Sequence, residues 1–165
     1  MNTEFVLKRI ALKPIKHKDC SALLAILSEP LVAQYNDYSL PLTRNDVKQL
    51  IQNDITGMYE GNTLRLGIYL IDTSTLIGCI GLYDIAEDSA WLGFELSANY
   101  WGQGFMSEAL AFTLTNLTTV IALLGNEVSI SNLQAKVATA NSQSQRLLQR
   151  FNFSNLGYEH WLYKL

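Results

Sequence analysis

The chain has 165 residues, of which 48% are apolar and 16% are charged, and its formal net charge is −3. Disorder requires the opposite balance, so this composition excludes it, and the lack of clustered lysine and arginine excludes a broad nucleic-acid-binding surface. Cys20 and Cys79 lie far apart without CxxC spacing and only two histidines accompany them, so neither a disulfide framework nor a metal site is expected.

The predicted elements follow from hydrophobic periodicity and from the positions of turn residues. Thr43, with Asp46 three residues later, predicts a capped helix start, and Gly125 predicts a helix end. In chain order, the predicted elements are a strand over 4–13, helices over 17–28 and 43–54, a break over 57–62, strands over 64–71, 76–83 and 90–96, a helix from 106 towards Gly125, a strand over 133–139, a helix over 141–149 and a strand over 158–165.

This order predicts a mixed α/β fold, in which hairpins come first and strand–helix–strand units follow. No repeat or linker interrupts the pattern, so one domain over 1–165 is expected. The start of the chain differs from a signal peptide, and Asp72 and Asn126 interrupt the longest apolar runs before they reach the length of a membrane span. A soluble cytoplasmic protein is therefore expected.

A glycine-containing turn lies between a predicted strand and a predicted helix, with the sequence Trp-Gly-Gln-Gly-Phe-Met-Ser-Glu-Ala over 101–109. The first amides of a helix have no internal partner, and glycines let an anion approach the backbone, so this turn can form a pyrophosphate cradle. No P-loop lysine follows, and the third glycine of the dinucleotide fingerprint is missing. Taken alone, the glycines are also compatible with a turn that binds nothing.

A second motif begins at Asn141 and reads Asn-Ser-Gln-Ser. Taken alone, Asn141 is compatible with a plain helix N-cap and Ser144 with an ordinary polar residue in the first turn. Further along, Asn152 is suited to a left-handed helix end, since asparagine is the best substitute for glycine there.

The two motifs together resemble those of the GNAT superfamily of N-acetyltransferases, in its RimJ/RimL-like branch. Residues 101–109 resemble the acyl-CoA pyrophosphate loop, Trp-Gly-x-Gly-Tyr/Phe-Ala followed by Thr/Ser-Glu-Ala, except that Met106 replaces the small residue. Residues 141–153 resemble the family's Asn-x-x-Ser helix with its Gly-Phe ending, except that Asn152 replaces the glycine. The order and spacing of the motifs extend this resemblance over most of the chain.

The resemblance implies a mostly antiparallel central sheet flanked by helices and an enzyme that uses acetyl-CoA as cosubstrate without a metal. It implies transfer of the acetyl group to a primary amine, by direct attack in a ternary complex. The amine would belong to a protein N-terminus or a small molecule, and the enzyme would be a monomer or homodimer without nucleic-acid or membrane partners. The implied cofactor contacts are Phe94, Leu96, Trp101, Gly102, Gln103, Gly104, Phe105, Met106, Ser107, Asn141 and Ser144.

Glu95 is the candidate general base, because it is the one carboxylate in the apolar strand over 90–96. Such a side chain either faces solvent or lines a cleft, and family members often deprotonate the amine through an ordered water. By resemblance, Ser144 is the candidate general acid for the leaving thiolate, since the tyrosine of another branch would align with Leu148.

The segment over 35–42 is expected to form part of the acceptor wall, through Tyr35, Asp37 and Tyr38. Aromatic and acidic side chains suit a cationic amine, although an ordinary surface loop has the same composition. An alternative function is a non-catalytic acyl-CoA-binding or regulatory relative, which Met106 and the absent tyrosine would favour.

Overall fold

The computed structural model describes residues 3–125 and 127–165. Within these ranges the strands are β1 (Phe5–Val6), β2 (Ile10–Pro14), β3 (Leu64–Leu70), β4 (Leu76–Ala86), β5 (Ser89–Leu96), β6 (Asn132–Lys136), β7 (Ser154–Gly157) and β8 (His160–Lys164). The α-helices are α1 (Cys20–Leu27), α2 (Pro30–Ala33), α3 (Arg44–Glu60), α4 (Phe105–Thr115), α5 (Leu117–Ile121) and α6 (Ser142–Arg150).

The strands form one sheet in the order β1-β2-β3-β4-β5-β6-β8-β7. Every neighbouring pair is antiparallel except β5 and β6, which are parallel because the α4–α5 crossover connects them. The predicted fold class, a mixed and mostly antiparallel sheet flanked by helices, is therefore confirmed.

Alternation of side chains along β3 assigns each residue to one face of the sheet. Leu64 and Leu66 belong to an apolar cluster that also contains residues of α4, α5 and α6. Tyr69 belongs to a second cluster, with residues of α1 and α3. Arg65 lies between two residues of the first cluster, so its side chain points to the opposite face, towards α3.

The predicted start of α3 is confirmed in detail. Thr43 accepts a hydrogen bond from the backbone N–H of Asp46, and the Asp46 side chain accepts one in return from the backbone N–H of Thr43. The break expected over 57–62 is wrong, because α3 continues to Glu60 and ends at Gly61, whose φ is 77°. Gly57 lies inside the helix and has a packing role, since a Cβ there would lie 2.7 Å from the Cβ of Thr63.

Both ends of the chain contain a hairpin where one strand was expected. The predicted strand over 4–13 is divided into β1 and β2, because Leu7 donates to the carbonyl of Ile10 and Arg9 turns towards α4. The predicted strand over 158–165 is the second half of the β7–β8 hairpin, with Tyr158 in the turn at φ 56°.

The helix expected from 106 is two helices, α4 and α5, which meet at Asn116. Gly125 ends the segment with φ 71°, as predicted, and Asn126 lies outside the described residues. Within the described ranges no single helix is long and apolar enough to span a membrane. The pair Phe105–Thr115 and Leu117–Leu124 has the required length and apolarity only as two segments bent by 87°.

Candidate active site

β5 and β6 are paired only at their beginnings. The two strands pair from Ser89–Asn132 to Trp91–Gln134, and no further pairing follows in the described part of either strand. Beyond that point the two strands line a cavity of about 1290 Å³. Phe94 is one of the β5 residues that line it. The volume exceeds the roughly 300–1,000 Å³ of most small-molecule sites, which suits a long ligand inserted between two strands.

The glycine turn lies at one side of this cavity. Gly102 and Gly104 have φ values of 72° and 81°, in the left-handed region that glycine adopts without strain. Gly104 is the N-cap of α4, so the amides of Phe105, Met106 and Ser107 have no acceptor within the helix. Free amides and the positive end of the helix dipole can hold an anion there.

The Met106 side chain is buried in the core and does not crowd the glycine loop. It lines the cavity but is only 8% exposed, and it packs in the apolar cluster between α4 and the sheet. The bulky residue at the family's small-residue position is thus accommodated by the core.

Arg9, which does not line the cavity, braces the glycine loop. Its Nη1 donates a 2.8 Å hydrogen bond to the carbonyl of Gln103, and its Nε makes a 2.8 Å ion pair with Glu108. The guanidinium also stacks over the Phe105 ring, 4.4 Å from the centroid. The turn between β1 and β2 therefore fixes the shape of the loop through one side chain.

Trp101 anchors the loop to the end of β5. Its Nε1 donates a 2.7 Å hydrogen bond to the carbonyl of Leu96, and both residues line the cavity. Gln103 is the one predicted cofactor contact that does not line it. The Gln103 side chain instead donates to the carbonyl of Asn99, and the Gln103 carbonyl accepts a hydrogen bond from Arg9.

The second motif lines the same cavity as the first. Asn141 is the N-cap of α6 and accepts a 3.2 Å hydrogen bond from the backbone N–H of Ser144, and both residues line the cavity. Arg150, in the last turn of α6, donates to the hydroxyl of Ser107 at 3.2 Å. Asn152 has φ 63°, which confirms the left-handed helix end.

The predicted acceptor wall also lies at the cavity, because Tyr35, Asp37 and Tyr38 all line it. Tyr35 donates a hydrogen bond to the carbonyl of Ala140, and Tyr38 accepts one of 3.1 Å from Nη2 of Arg65. This segment is therefore attached to both sides of the cleft and is more than a free surface loop.

Glu95 lines the cavity with a side chain that is 11% exposed, beside a buried cluster of charges. Its carboxylate lies 3.6 Å from Nη1 of Arg65, and the Asp54 carboxylate lies 3.2 Å from Nε of the same side chain. Arg65 and Asp54 are also almost fully buried. The sequence allowed Glu95 either to face solvent or to line a cleft. In the structure Glu95 lines the cleft.

Two glycines make room for the aromatic member of the cluster. Tyr83 accepts a 2.9 Å hydrogen bond from Nε of Arg65. A Cβ at Gly81 would lie 2.5 Å from the Tyr83 hydroxyl, and one at Gly93, the cross-strand partner of Gly81, would lie 3.0 Å from the ring. The ring therefore lies flat over two adjacent strands.

Burial governs the ionisation of these groups. It raises the pKa of Asp54 to about 6, with Arg65 opposing and Glu95 adding to the shift. Burial also raises the pKa values of Tyr38 and Tyr83, so both hydroxyls stay protonated. Burial alone would lower the pKa of Arg65, but the neighbouring Glu95 holds it well above its usual value.

Asp54, Arg65 and Tyr83 were not among the residues predicted for the site. A signal for Asp54 was present, because it follows Val47 and Ile51 at helical spacing on the buried face of α3. A carboxylate on such a face needs a partner. Arg65 gave a similar signal, as the single charge within the buried strand β3.

The site fits acetyl-CoA by its shape and donor groups. Two strands diverge around a large cavity, and a helix N-terminus with free amides opens onto it.

Among residues 3–125 and 127–165 there is no cluster of three or more His, Cys, Asp or Glu side chains arranged to hold a metal ion.

Comparisons with known proteins agree with this geometry. Residues 9–154 match the family described as acetyltransferase (GNAT) domain. The chain is 27% identical over 154 residues to the uncharacterized N-acetyltransferase p20 of Bacillus licheniformis, covering 91% of this chain and 82% of that protein.

Two solved structures share the fold at low sequence identity. RimL, a ribosomal L7/L12 alpha-N-protein acetyltransferase in complex with coenzyme A, has a TM-score of 0.81 at 16% identity, covering 98% of this chain and 97% of its own. The Salmonella typhimurium acetyl transferase that modifies the N-terminal serine of ribosomal protein L7/L12 has a TM-score of 0.78 at 18% identity, covering 96% of each chain.

The family match contains both motifs that carry the resemblance, the glycine loop at the start of α4 and the Asn-x-x-Ser start of α6. The structural neighbours include RimL, whose fold this chain shares. The chain therefore belongs to the GNAT acetyltransferase family and is an acyltransferase.

Proposed function

We propose that the protein transfers the acetyl group of acetyl-CoA to a primary amine, by direct attack of the amine in a ternary complex. One observation carries the proposal: a single cavity is lined by the glycine loop, the start of α6 and the buried carboxylates Asp54 and Glu95. A cofactor site and a group that can take a proton from an amine thus share one space.

The residues of the chain divide the binding of the cofactor between them. Bound acetyl-CoA supplies the acetyl group as an activated thioester. The first amides of α4 hold its pyrophosphate, and the unpaired edge of β5 at Phe94 and Leu96 offers backbone groups to the pantetheine arm. Asn141 uses its side-chain oxygen as the helix cap, which leaves its nitrogen for the cofactor.

Glu95 is the proposed general base, acting directly or through an ordered water. Its position on β5 is next to Phe94 and Leu96, so the carboxylate lies beside the backbone that would hold the pantetheine arm. An amine is nucleophilic only after it loses its proton, and a positioned carboxylate can take that proton. Ser144, which lines the same cavity, is the proposed acid for the departing thiolate.

The acceptor is proposed to be the N-terminus of a protein or a small-molecule amine, bound against Tyr35, Asp37 and Tyr38. The structural neighbour that modifies the N-terminal serine of a ribosomal protein supports the first of these. We also propose that residues 1–165 act as one cytoplasmic domain, as a monomer or homodimer, without nucleic-acid or membrane partners.

An acetyl-transfer assay tests this function. The protein and acetyl-CoA would be incubated with a serine-initiated peptide amide, n-butylamine, spermidine and an aminoglycoside, and product mass would be followed by mass spectrometry. We expect one amine to gain an acetyl group, with the rate reduced in Glu95→Gln and unchanged in the exposed hairpin variant Asp72→Asn. Absence of acetylated product with every amine would contradict the proposal.

A further inference from the structure

Four buried polar atoms have no hydrogen-bond partner among the described residues and belong to residues that line the cavity: Nδ2 of Asn36, Oδ2 of Asp54, Nη1 of Arg65 and Oε1 of Glu95. The last three form one cluster of charges. The single hydrogen on Nε of Arg65 is donated to Tyr83, so the 3.2 Å contact of Asp54 with that nitrogen is an ion pair without a hydrogen bond. The 3.6 Å separation between Arg65 and Glu95 is likewise too long for one.

Unsatisfied polar atoms inside a protein are rare, because losing water without gaining a partner costs free energy. Two of the three cluster atoms are carboxylate oxygens, which accept hydrogen bonds and cannot donate them when ionised. The ligand that satisfies both is a donor, and a primary ammonium group offers three N–H bonds.

The charges in the cluster point to the same ligand. The groups that face Asp54 are Arg65 from β3, Glu95 from β5, Tyr38 from the acceptor wall, and Tyr83 and Cys79 from β4. Burial raises the pKa values of the two phenols and of the thiol, so these three groups are neutral at pH 7. Two carboxylates then oppose one guanidinium, and one added positive charge balances the cluster.

We propose that Asp54 is an acceptor-binding residue, which together with Glu95 receives the ammonium group of the amine substrate at the buried cluster. This assignment rests on the proposed function, because that function identifies the substrate as an amine. It separates the roles of two carboxylates that approach the same cavity from different elements, one on α3 and one on β5.

Asp54 holds the ammonium group, whereas Glu95, beside the backbone that would hold the pantetheine arm, takes the proton. Loss of the Asp54 charge should therefore raise the KM for the amine by about tenfold or more, the range of a lost charge-assisted hydrogen bond, with a much smaller effect on kcat. Loss of the Glu95 charge should have its main effect on kcat. Asp54→Glu should recover part of the amine affinity.

Binding of an ammonium ion beside Asp54 favours its ionised form, so the two equilibria are linked. The pKa of Asp54, raised to about 6 by burial, should fall when an ammonium ligand occupies the site. A neutral ligand of the same shape should leave it unchanged. This linkage is measurable without acetyl transfer.

The test is carboxyl ¹³C NMR on the whole protein, titrated with pH in the presence of n-butylammonium chloride or of n-butanol. Asp54→Asn identifies the resonance, and the exposed Asp72 serves as the internal control. We expect a saturable fall in the Asp54 pKa with butylammonium and none with butanol, and no change at Asp72. An Asp54 titration that is unaffected by butylammonium at tens of millimolar would overturn the proposal.

Asp54→Asn is expected to fold, because Arg65 keeps Glu95 as a one-to-one partner. The titration itself is performed on the wild-type protein, so its outcome does not depend on the stability of a variant. A negative acetyl-transfer assay combined with a positive titration would contradict the proposed function and leave the ammonium site in place. Acetyl transfer without a titration response would support the proposed function and overturn the ammonium site at Asp54.

Discussion

Tyr35 donates a hydrogen bond of 3.2 Å from its hydroxyl to the backbone carbonyl of Ala140, a residue 105 positions away in the sequence. Both residues line the cavity, and Ala140 directly precedes the N-cap of α6. The bond thus connects the acceptor wall to the segment that begins the Asn-x-x-Ser motif. It gives this loop a fixed position over the cleft.

Removal of that hydroxyl should loosen the acceptor wall. Tyr35→Phe is expected to lower the free energy of unfolding by about 1 kcal/mol, the usual contribution of one intramolecular hydrogen bond. Amide exchange over 34–42 should become faster. Urea unfolding and hydrogen-exchange mass spectrometry provide the measurements, with Tyr59→Phe as the control, since Tyr59 is 88% exposed. Equal exchange in the two variants would contradict the role of the bond.

Arg9 should determine the affinity for acetyl-CoA without touching it. Arg9→Met removes the hydrogen bond to Gln103 and the ion pair with Glu108, so the glycine loop loses its brace. We expect a Kd for acetyl-CoA that rises about tenfold, and only partial recovery in Arg9→Lys, because lysine lacks the planar fork of donors. Lys8→Met, an exposed neighbour, is the control. Unchanged affinity in Arg9→Met would show that the loop keeps its shape unaided.

Asp54 should make the stability of the protein depend on pH. Its pKa is raised to about 6, above the value of an unfolded chain, so the folded state binds the extra proton between about pH 4 and pH 6. The contribution of this group to stability is therefore largest below that window and falls as the pH rises through it.

Asp54→Asn imitates the protonated form and should abolish this slope. The variant should match the wild type near pH 4 and exceed it at pH 7 by on the order of 2 kcal/mol in the free energy of unfolding. Urea unfolding across this pH range measures the difference, with Asp72→Asn as the control. A difference that is constant with pH would contradict the raised pKa.

Glu95 should be needed for the chemical step and not for cofactor binding. Glu95→Gln keeps the shape of the side chain but removes the basic group, and we expect kcat to fall by about 100-fold or more. The Kd for acetyl-CoA should be unchanged, because the proposed cofactor contacts on β5 are made by the backbone. Steady-state kinetics and calorimetry separate the two effects. A normal kcat would transfer the role of base to another group.

Much of the fold could be predicted, because short local sequence patterns determine most of its strands and helices. The strand-like apolar runs over 64–71 and 76–83, with turn residues between them, predicted β3 and β4, and the Thr43–Asp46 pair predicted the start of α3. The first hairpin was missed because a turn inside the alternating run over 4–13 changes the pairing without changing the pattern. Arg9 shows the reason, because its bonds to Glu108 on α4 help to hold the first turn. The last hairpin was missed because β7 is a short, exposed run that precedes the predicted strand.

The cofactor half of the site was also local in sequence, since the glycine turn and the Asn-x-x-Ser motif are each contained in a few residues. The buried cluster was not local. Asp54, Arg65 and Glu95 come from a helix and two strands, and only the packing of α3 on the sheet brings them together. Their burial was detectable in the sequence as single charges at apolar positions, but their partnership was not.

Calorimetric titration of the purified protein with acetyl-CoA tests whether the cavity between β5 and β6 is an acetyl-CoA site. Coenzyme A and ATP are the comparison ligands. We expect saturable binding of acetyl-CoA at one site per chain, comparable binding of coenzyme A, and no binding of ATP. No detectable heat with acetyl-CoA at millimolar concentration would show that this cavity is not an acetyl-CoA site.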